Sequence, residues 1–164
     1  MRLHPTLAVL ATTLTALTLP LPTLASETDL SIIGAYVRMV PPGTPNTAAF
    51  MTIANSGSSN RKLLMAESPA AKRSELHTHI NDQGMMRMRQ VEAIEIKAAA
   101  HTELKPGGYH IMLLDLQQSL KEGDSVPLTL RFDDGSTKEI AAAVKKPQTV
   151  MKATDTPEHG AMKH

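Results

Sequence analysis

Residues 126–144, VPLTLRFDDGSTKEIAAAV, contain two runs of alternating apolar and polar side chains separated by an Asp-Gly turn. Side chains of a strand point alternately to its two faces, so each run would have one apolar face. An Asp-Gly pair between two such runs is typical of a β-hairpin, in which the apolar faces meet across the pair. The residues predicted to share this buried face are Leu128, Leu130, Phe132, Ile140, Ala142 and Val144.

The chain before this hairpin has the same kind of pattern. Short β-branched and apolar segments, such as SIIGAYVRMV at 31–40 and NTAAFMTIAN at 46–55, are separated by turn signals. We find no long amphipathic helix and no internal repeat. Turn signals at intervals of about 8–12 residues predict an all-β fold, an antiparallel Greek-key β-sandwich of about seven to nine strands.

Composition restricts the classes of function. The chain has 164 residues, a formal net charge of +1 and only four aromatic side chains, which argues against a nucleic-acid-binding groove. It contains no cysteine, so a disulfide, a thiolate ligand and a cysteine-ligated blue-copper centre are excluded. The motifs of serine hydrolases, phosphate-binding loops and zinc proteases are absent, and we expect a protein that is not an enzyme. Methionine is abundant, with ten residues.

The two ends of the sequence differ from the middle. Residues 1–25 begin with Arg2, continue with an apolar Leu/Ala/Thr-rich stretch and end in small residues, which is typical of an export signal cleaved near Ala25. We therefore predict a periplasmic protein with no membrane span in its mature form, and the lack of cysteine predicts that it carries no lipid. Residues 26–146 would form the β-sandwich domain, and residues 147–164 would form a flexible tail bearing histidine and methionine.

The stretch ELHTHINDQGMMRMR, residues 75–89, places histidines and methionines on both sides of a turn. If its NDQG segment forms a four-residue turn, His77 lies opposite Met88. In the same register His79 lies opposite Met86. The four side chains would then project from one face of the hairpin, because side chains alternate along each strand. We predict that this face can hold a metal ion.

A second pair of the same type occurs in GYHIM, where His110 and Met112 are two residues apart and share one face of a strand. Imidazole nitrogen together with thioether sulfur is a borderline-to-soft ligand set, which favours Cu(I) over Zn(II), Mg(II) or Ca(II). Zinc sites are built mainly from cysteine, histidine and carboxylate. These residue types therefore indicate copper.

The spacing of these residues resembles the H-x10-M-x21-H-x-M signature of the PCuAC family of periplasmic copper chaperones. The segments AAFMTIANSG, MRMRQVEAIEI and LKPGGYHIMLL are similar to that family as well, and the resemblance extends over about residues 30–145. It implies a cupredoxin-like β-sandwich that holds one Cu(I) near its surface. Carried over position by position, the implied ligands are His77, Met88, His110 and Met112.

The same resemblance implies a role in the assembly of a respiratory enzyme. Family members deliver copper to the copper-site subunit of cytochrome c oxidase, often alongside a Sco-type thioredoxin-like protein. The chain departs from the family where AAAH replaces a glycine-rich stretch, and we interpret His101 as a surface substitution. The alternative function is a copper-sequestering resistance protein without a dedicated acceptor, and a further one is a metal-free adhesion or assembly module.

Other histidines and methionines are weaker candidates. His79 and Met86 share the predicted face but lie outside the signature, so each is either an additional metal ligand or an ordinary residue beside the site. Methionine in a β-protein commonly fills the core, and Met39, Met51 and Met65 are interpreted in this way. The histidines and methionines of the tail are either incidental or a second site, which would take Cu(II) through imidazole nitrogen. These tail residues are Met151, His159, Met162 and His164.

Overall fold

Ten β-strands and no helix form the part of the chain that the computed structural model describes, residues 29–147. The all-β prediction is confirmed, with ten strands where about seven to nine were predicted. The predicted export signal and nearly all of the predicted tail lie outside the described residues. The strands are β1 (Leu30–Arg38), β2 (Thr47–Asn55), β3 (Arg61–Glu67), β4 (Ala71–Asp82), β5 (Met85–Gln90), β6 (Ile94–Ile96), β7 (Ala100–Leu104), β8 (His110–Leu116), β9 (Ser125–Phe132) and β10 (Thr137–Lys145).

These strands form one continuous sheet in the order β5-β4-β8-β2-β1-β10-β9-β3-β6, and β7 also pairs with β2. Paired strands are antiparallel except for β1 and β10, which run parallel. Strand β2 pairs with β8 through residues 47–49 and with β7 through residues 51–55. Because β2 changes partner along its length, the sheet turns back on itself there.

One core cluster holds side chains from both ends of this strand order. Leu63 on β3 and Ile94 on β6 come from one end. Leu76 on β4 and Ile111 on β8 come from the other end and are buried in the same cluster. The two ends therefore pack face to face, as the layers of a β-sandwich do.

The C-terminal hairpin has the predicted buried face. Leu128 pairs with Ile140, and Val126 pairs with Ala142. The six residues predicted to share the buried face are buried, apart from Ile140, which packs partly buried against the core. Strand β10 then pairs with β1, so that this hairpin is joined to the first strand of the domain.

The three methionines interpreted as core residues differ in burial. Met51 is buried, and Met39 packs partly buried against the core. Met65 is exposed, and for this residue the interpretation is wrong. An irregularity in the pairing of β3 with β9 lies between Leu63 and Met65, and a bulge of this kind changes the face to which the following side chain points.

The hairpin between β4 and β5 has a tighter turn than predicted. Asp82 pairs directly with Met85, which leaves only Gln83 and Gly84 as turn residues. Both have a positive φ, 52° and 85°, as a type I′ turn requires. The Gly84 N–H also donates a hydrogen bond of 2.8 Å to Oδ1 of Asn81.

The register predicted for this hairpin is therefore wrong by two residues. His79, and not His77, lies opposite Met88. Met86 in turn lies opposite Asn81. Because side chains alternate with a period of two, a shift of two residues keeps each side chain on its predicted face. The two histidines and the two methionines still share one face of the hairpin.

Replacement of Gly84 by alanine tests the turn. Its φ of 85° is unfavourable for a residue with a Cβ, although no atom beyond the adjacent residues lies within 4 Å of the added methyl group. We expect Gly84→Ala to lower the free energy of unfolding by about 1 kcal/mol through backbone strain alone, as measured by denaturant unfolding. Gln83→Asn is the matched control and should not destabilise the protein, because asparagine favours the same turn. An unchanged stability of Gly84→Ala would contradict the two-residue turn.

Candidate metal centre

Strands β5, β4 and β8 lie side by side at one end of the strand order and carry the predicted ligands. On β8, Ile111 and Leu113 enter the core. His110 and Met112 alternate with them and therefore project from the opposite face of the strand. On β4, Leu76 enters the core. Its neighbours Glu75 and His77 therefore project from the same face as His110 and Met112.

Cross-strand pairing brings histidines from β4 and β8 together. His77 lies directly opposite His110, and their ring centroids are 5.8 Å apart. The ring of His79 is closer to that of His110, with centroids 5.2 Å apart. His79 also lies opposite Met88 on β5. Three strands thus contribute to one cluster of imidazole and thioether groups.

His110 is the most buried member of this cluster, with only 2% of its surface exposed. Its Nδ1–H donates a hydrogen bond of 3.0 Å to the carbonyl oxygen of Gly108. This assigns the lone pair to Nε2, which is buried without a hydrogen-bond partner. A lone pair on a neutral imidazole is the form in which histidine binds a metal.

Burial also lowers the pKa of His110 below its ordinary value of 6.5. The hydrogen bond to Gly108 acts in the opposite direction. The nearby imidazoles of His79 and His77 lower the pKa further, and so does the charge of Arg38. The neutral form of His110 is therefore favoured at pH 7.

Glu75 orients His77. Oε2 of its carboxylate accepts a hydrogen bond of 2.8 Å from Nε2–H of His77, which leaves the lone pair on Nδ1. Glu75 was not among the site residues predicted from the sequence. Its position two residues before His77, and so on the same face of β4, is the signal that could have done so.

Three imidazole nitrogens of the cluster are buried and have no hydrogen-bond partner. They are Nδ1 of His77, Nδ1 of His79 and Nε2 of His110. A buried polar atom without a partner costs about 1–3 kcal/mol of stability. Three such atoms in one cluster are expected where a ligand binds, and not in a face that has only a structural role.

A pocket of about 190 Å³ opens beside the cluster. Three residues of the signature line it, namely Met88, His110 and Met112. His79 lines the pocket as well. The fourth signature residue, His77, does not; it reaches the cluster through its pairing with His110.

The donor set of this pocket is neutral and includes sulfur. Within residues 29–147, no group of three or more His, Cys, Asp or Glu side chains is arranged to hold a metal ion by itself. A metal ion in this pocket would therefore need the thioethers of Met88 and Met112, which line it together with imidazole side chains. Neutral imidazole and thioether ligands suit Cu(I), so the residues present fit the metal that the sequence indicates.

The remaining candidates lie outside the pocket. Met86 is 60% exposed at the outer edge of β5 and faces Asn81. His101 is exposed on β7, as interpreted from the sequence. The predicted tail site lies outside the described residues; it comprises Met151, His159, Met162 and His164.

Comparison with known sequences identifies a family. The model of the LpqE-like lipoprotein family matches residues 30–144. A protein of Leifsonia xyli described as lipoprotein Lxx21020 is 38% identical over 104 residues, which are 63% of each of the two chains. The uncharacterized protein RP573 of Rickettsia prowazekii is 33% identical over 100 residues, which are 60% of this chain and 55% of RP573. The match thus spans less than two thirds of the length of these relatives.

Several solved structures have a similar fold. The solution structure of apo-DR1885 from Deinococcus radiodurans is 36% identical, with a TM-score of 0.60 over 86% of this chain and 96% of DR1885. Its Cu(I) form is 35% identical, with a TM-score of 0.58 over 76% and 81% of the two chains. The copper-bound PCuAC domain of PmoF2 is 22% identical, with a TM-score of 0.63 over 73% and 94%. The predicted cupredoxin-like sandwich of the PCuAC type is confirmed.

The buried state of His110 leads to a prediction for the metal-free protein. We expect its imidazole to titrate below 6.5 in an NMR titration. Because the pKa is lower in the folded than in the unfolded chain, the stability that neutral His110 contributes is fully present above pH 6.5 and is lost as the pH falls through the folded pKa. The His110→Gln variant should lack this part of the pH dependence of unfolding. A measured pKa at or above 6.5 would contradict the burial of the ring.

Proposed function

The chain belongs to the LpqE-like family and has the fold of PCuAC domains, and from this premise we propose that it is a Cu(I) chaperone. It would bind one Cu(I) ion outside the cytoplasm and pass the ion to a protein acceptor. The observation that carries the proposal is the cluster of three unpartnered imidazole nitrogens beside two thioethers. Neutral donors of these types suit Cu(I) better than Zn(II) or Mg(II). The existence of a Cu(I) form of the related DR1885 supports the choice of metal.

The proposed mechanism is ligand exchange at a half-open site. His110 is buried and oriented by the Gly108 carbonyl, so it would keep the ion in place. Met88 is 47% exposed on β5, the strand at one end of the sheet, where a donor from an acceptor protein can replace its sulfur. Neither ligand is a thiol, so the site cannot become trapped in a disulfide in an oxidising compartment.

The proposed acceptor is the copper-site subunit of cytochrome c oxidase, reached directly or through a Sco-type thioredoxin-like protein. The resemblance to the PCuAC family supports this part of the proposal. The protein would not act as an enzyme, because binding and releasing an ion requires no bond of a substrate to be made or broken. A separate Cu(II) site in the tail, at His159 and His164, is proposed from donor type alone.

The proposed location is the periplasm. The first 25 residues have the pattern of an export signal. The description of the family and of the Leifsonia relative as lipoproteins supports a place in the cell envelope. Within residues 29–147, no helix has the length and hydrophobicity that crossing a bilayer requires.

Loss of a pocket ligand should weaken Cu(I) binding. We expect His110→Ala and Met112→Ala each to lower the affinity at least tenfold, or by about 1.4 kcal/mol, because each removes a direct ligand. Competition with a Cu(I) chelator measures the affinity. His101→Ala is the matched control, since it removes an exposed imidazole outside the pocket, and should have no effect. Unchanged affinity in both pocket variants would exclude these residues from the site.

A strain that lacks the protein distinguishes delivery from storage. If the protein delivers copper, oxidase activity should fall under copper limitation, and added copper should restore it. The wild-type chain should complement the strain, whereas the His110→Ala variant should not. Normal oxidase activity at low copper, together with sensitivity to excess copper, would instead favour the sequestering function and contradict delivery.

A further inference from the structure

A second pocket, of about 400 Å³, lies next to the pocket of the candidate metal centre, the copper pocket. We call it the basic pocket, because four of the residues that line it carry a positive charge, namely Arg38, Lys105, Lys145 and Lys146. Arg38 and Pro106 line both pockets, so the two cavities share a wall. The whole chain has a formal net charge of only +1, and the basic pocket is therefore a local concentration of charge.

Strand pairing forces two of these cations together. Val37 on β1 is paired with Val144 on β10, and both side chains are buried in the core. The next pair along the two strands, Arg38 and Lys145, therefore projects from the opposite, outer face. Like charges on directly paired residues repel each other, so this arrangement destabilises the folded chain. A locally unfavourable arrangement of this kind is expected where a ligand of opposite charge binds.

Aromatic rings hold the same two cations in place. The guanidinium carbon of Arg38 lies 5.1 Å from the centroid of the Phe50 ring, and Nζ of Lys145 lies 5.5 Å from the centroid of the Tyr36 ring. In the described part of the chain, neither cation forms an ion pair with a carboxylate. A cation–π contact fixes the position of a cation but supplies no negative charge to neutralise it. Both cations therefore remain available to an anion.

The other two cations of the basic pocket have exposed partners. Nζ of Lys105 lies 2.7 Å from a carboxylate oxygen of Glu103, and Nζ of Lys146 lies 2.6 Å from one of Glu122. Both lysine side chains are 65% exposed, and ion pairs in such positions contribute little to stability. These ammonium groups can therefore turn towards an incoming anion at small cost.

We propose that the basic pocket docks an acidic segment, rich in aspartate or glutamate, of the protein that exchanges copper with this one. The inference deepens the proposed function and rests on it for the role of the partner. The charge of the pocket selects carboxylates, and the shared wall places a segment docked there beside the copper pocket. A small anion or a lipid headgroup would satisfy the charge, but neither brings a donor side chain to Met88 and Met112.

Docking at this place affects the rate of copper exchange more than the affinity for the ion. Complementary charges raise the rate at which two proteins meet and fix their relative orientation. Lys145 and Lys146 line the basic pocket but not the copper pocket. Changes at these two lysines should therefore separate docking from metal binding.

The first experiment uses the full-length protein with labelled hexaglutamate as the probe and hexaglutamine as the uncharged control. Fluorescence anisotropy gives the affinity, and backbone amide shifts in NMR spectra locate the bound peptide. We expect hexaglutamate to bind, with the largest shifts at residues 36–38 and 145–147, and hexaglutamine not to bind. Added salt should weaken the binding, because the interaction is between exposed charges.

Variants of the pocket test the assignment. Lys145→Glu combined with Lys146→Glu should lower hexaglutamate affinity at least about tenfold. Lys72→Glu is the matched control, because it makes the same change of charge at an exposed lysine of β4 that does not line the pocket. Its affinity should stay within about threefold of the wild type.

A neutral substitution keeps the test decisive if the doubly charge-reversed variant does not fold. Lys145→Gln removes the repulsion from Arg38 without adding a negative charge. It should weaken hexaglutamate binding and leave the melting temperature unchanged or higher. A lower melting temperature together with unchanged hexaglutamate binding would assign Lys145 to the stability of the fold and overturn its role in docking.

The second experiment measures copper transfer. Stopped-flow mixing of the Cu(I)-loaded protein with the soluble copper-site domain of the oxidase gives the transfer rate. The doubly charge-reversed variant should transfer at least about tenfold more slowly at low salt. Its Cu(I) affinity, measured by chelator competition, should stay within about threefold of the wild type, because neither lysine lines the copper pocket.

The outcomes separate this inference from the proposed function. Unchanged hexaglutamate affinity in the folded variants, or amide shifts away from the basic pocket, would overturn the docking surface. Citrate binding as tightly as hexaglutamate would overturn it in favour of a small-anion site. Preferential binding to vesicles of equal parts phosphatidylglycerol and phosphatidylcholine would overturn it in favour of a membrane contact. In each of these cases intact Cu(I) binding and transfer would leave the chaperone proposal standing. Hexaglutamate binding in the basic pocket without transfer to the oxidase domain would support the docking surface and overturn the proposed acceptor.

Discussion

The antiparallel pairing of β4 with β8 is the contact on which the site depends. It places His77 directly opposite His110, and Glu75 opposite Met112. The same pairing buries Leu76 and Ile111 on the other face of the two strands, in the core of the sandwich. Because successive side chains alternate, a slip of one residue would move the imidazoles into the core and the aliphatic side chains out of it. The stability of the core therefore maintains the register that brings the ligands together.

Around this pairing, a few polar contacts decide which ring nitrogens are free. The Gly108 carbonyl and the Glu75 carboxylate each accept a hydrogen bond from a ring N–H of one imidazole, which leaves the lone pair on the other nitrogen of that ring. Burial of His110 lowers its pKa and keeps it neutral, so protons compete poorly for that lone pair. Interactions of this kind, one step removed from the metal, orient the ligands and determine the protonation state in which they bind.

The ligands differ in exposure, and this difference suits the transfer of an ion. His110 is buried, whereas Met88 projects from the strand at one end of the sheet and is about half exposed. A site that was fully buried would hold the ion but release it slowly, and a site made only of exposed thioethers would leave the ion unprotected from solvent. The combination agrees with the proposed exchange of ligands, and the absence of cysteine from the chain removes the competing reaction of disulfide formation.

The sequence by itself determined the face on which most strand residues lie, because the alternation of apolar and polar side chains records this directly wherever no bulge interrupts it. The buried face of the C-terminal hairpin and the shared face of the histidines and methionines near the turn could be predicted for that reason. Alternation does not record which residues lie opposite one another, so the two-residue turn at Gln83 and Gly84 and the placement of His79 in the pocket required the tertiary structure. The parallel pairing of β1 with β10 and the burial of His110 also depend on contacts between segments far apart in the chain, which no local pattern encodes.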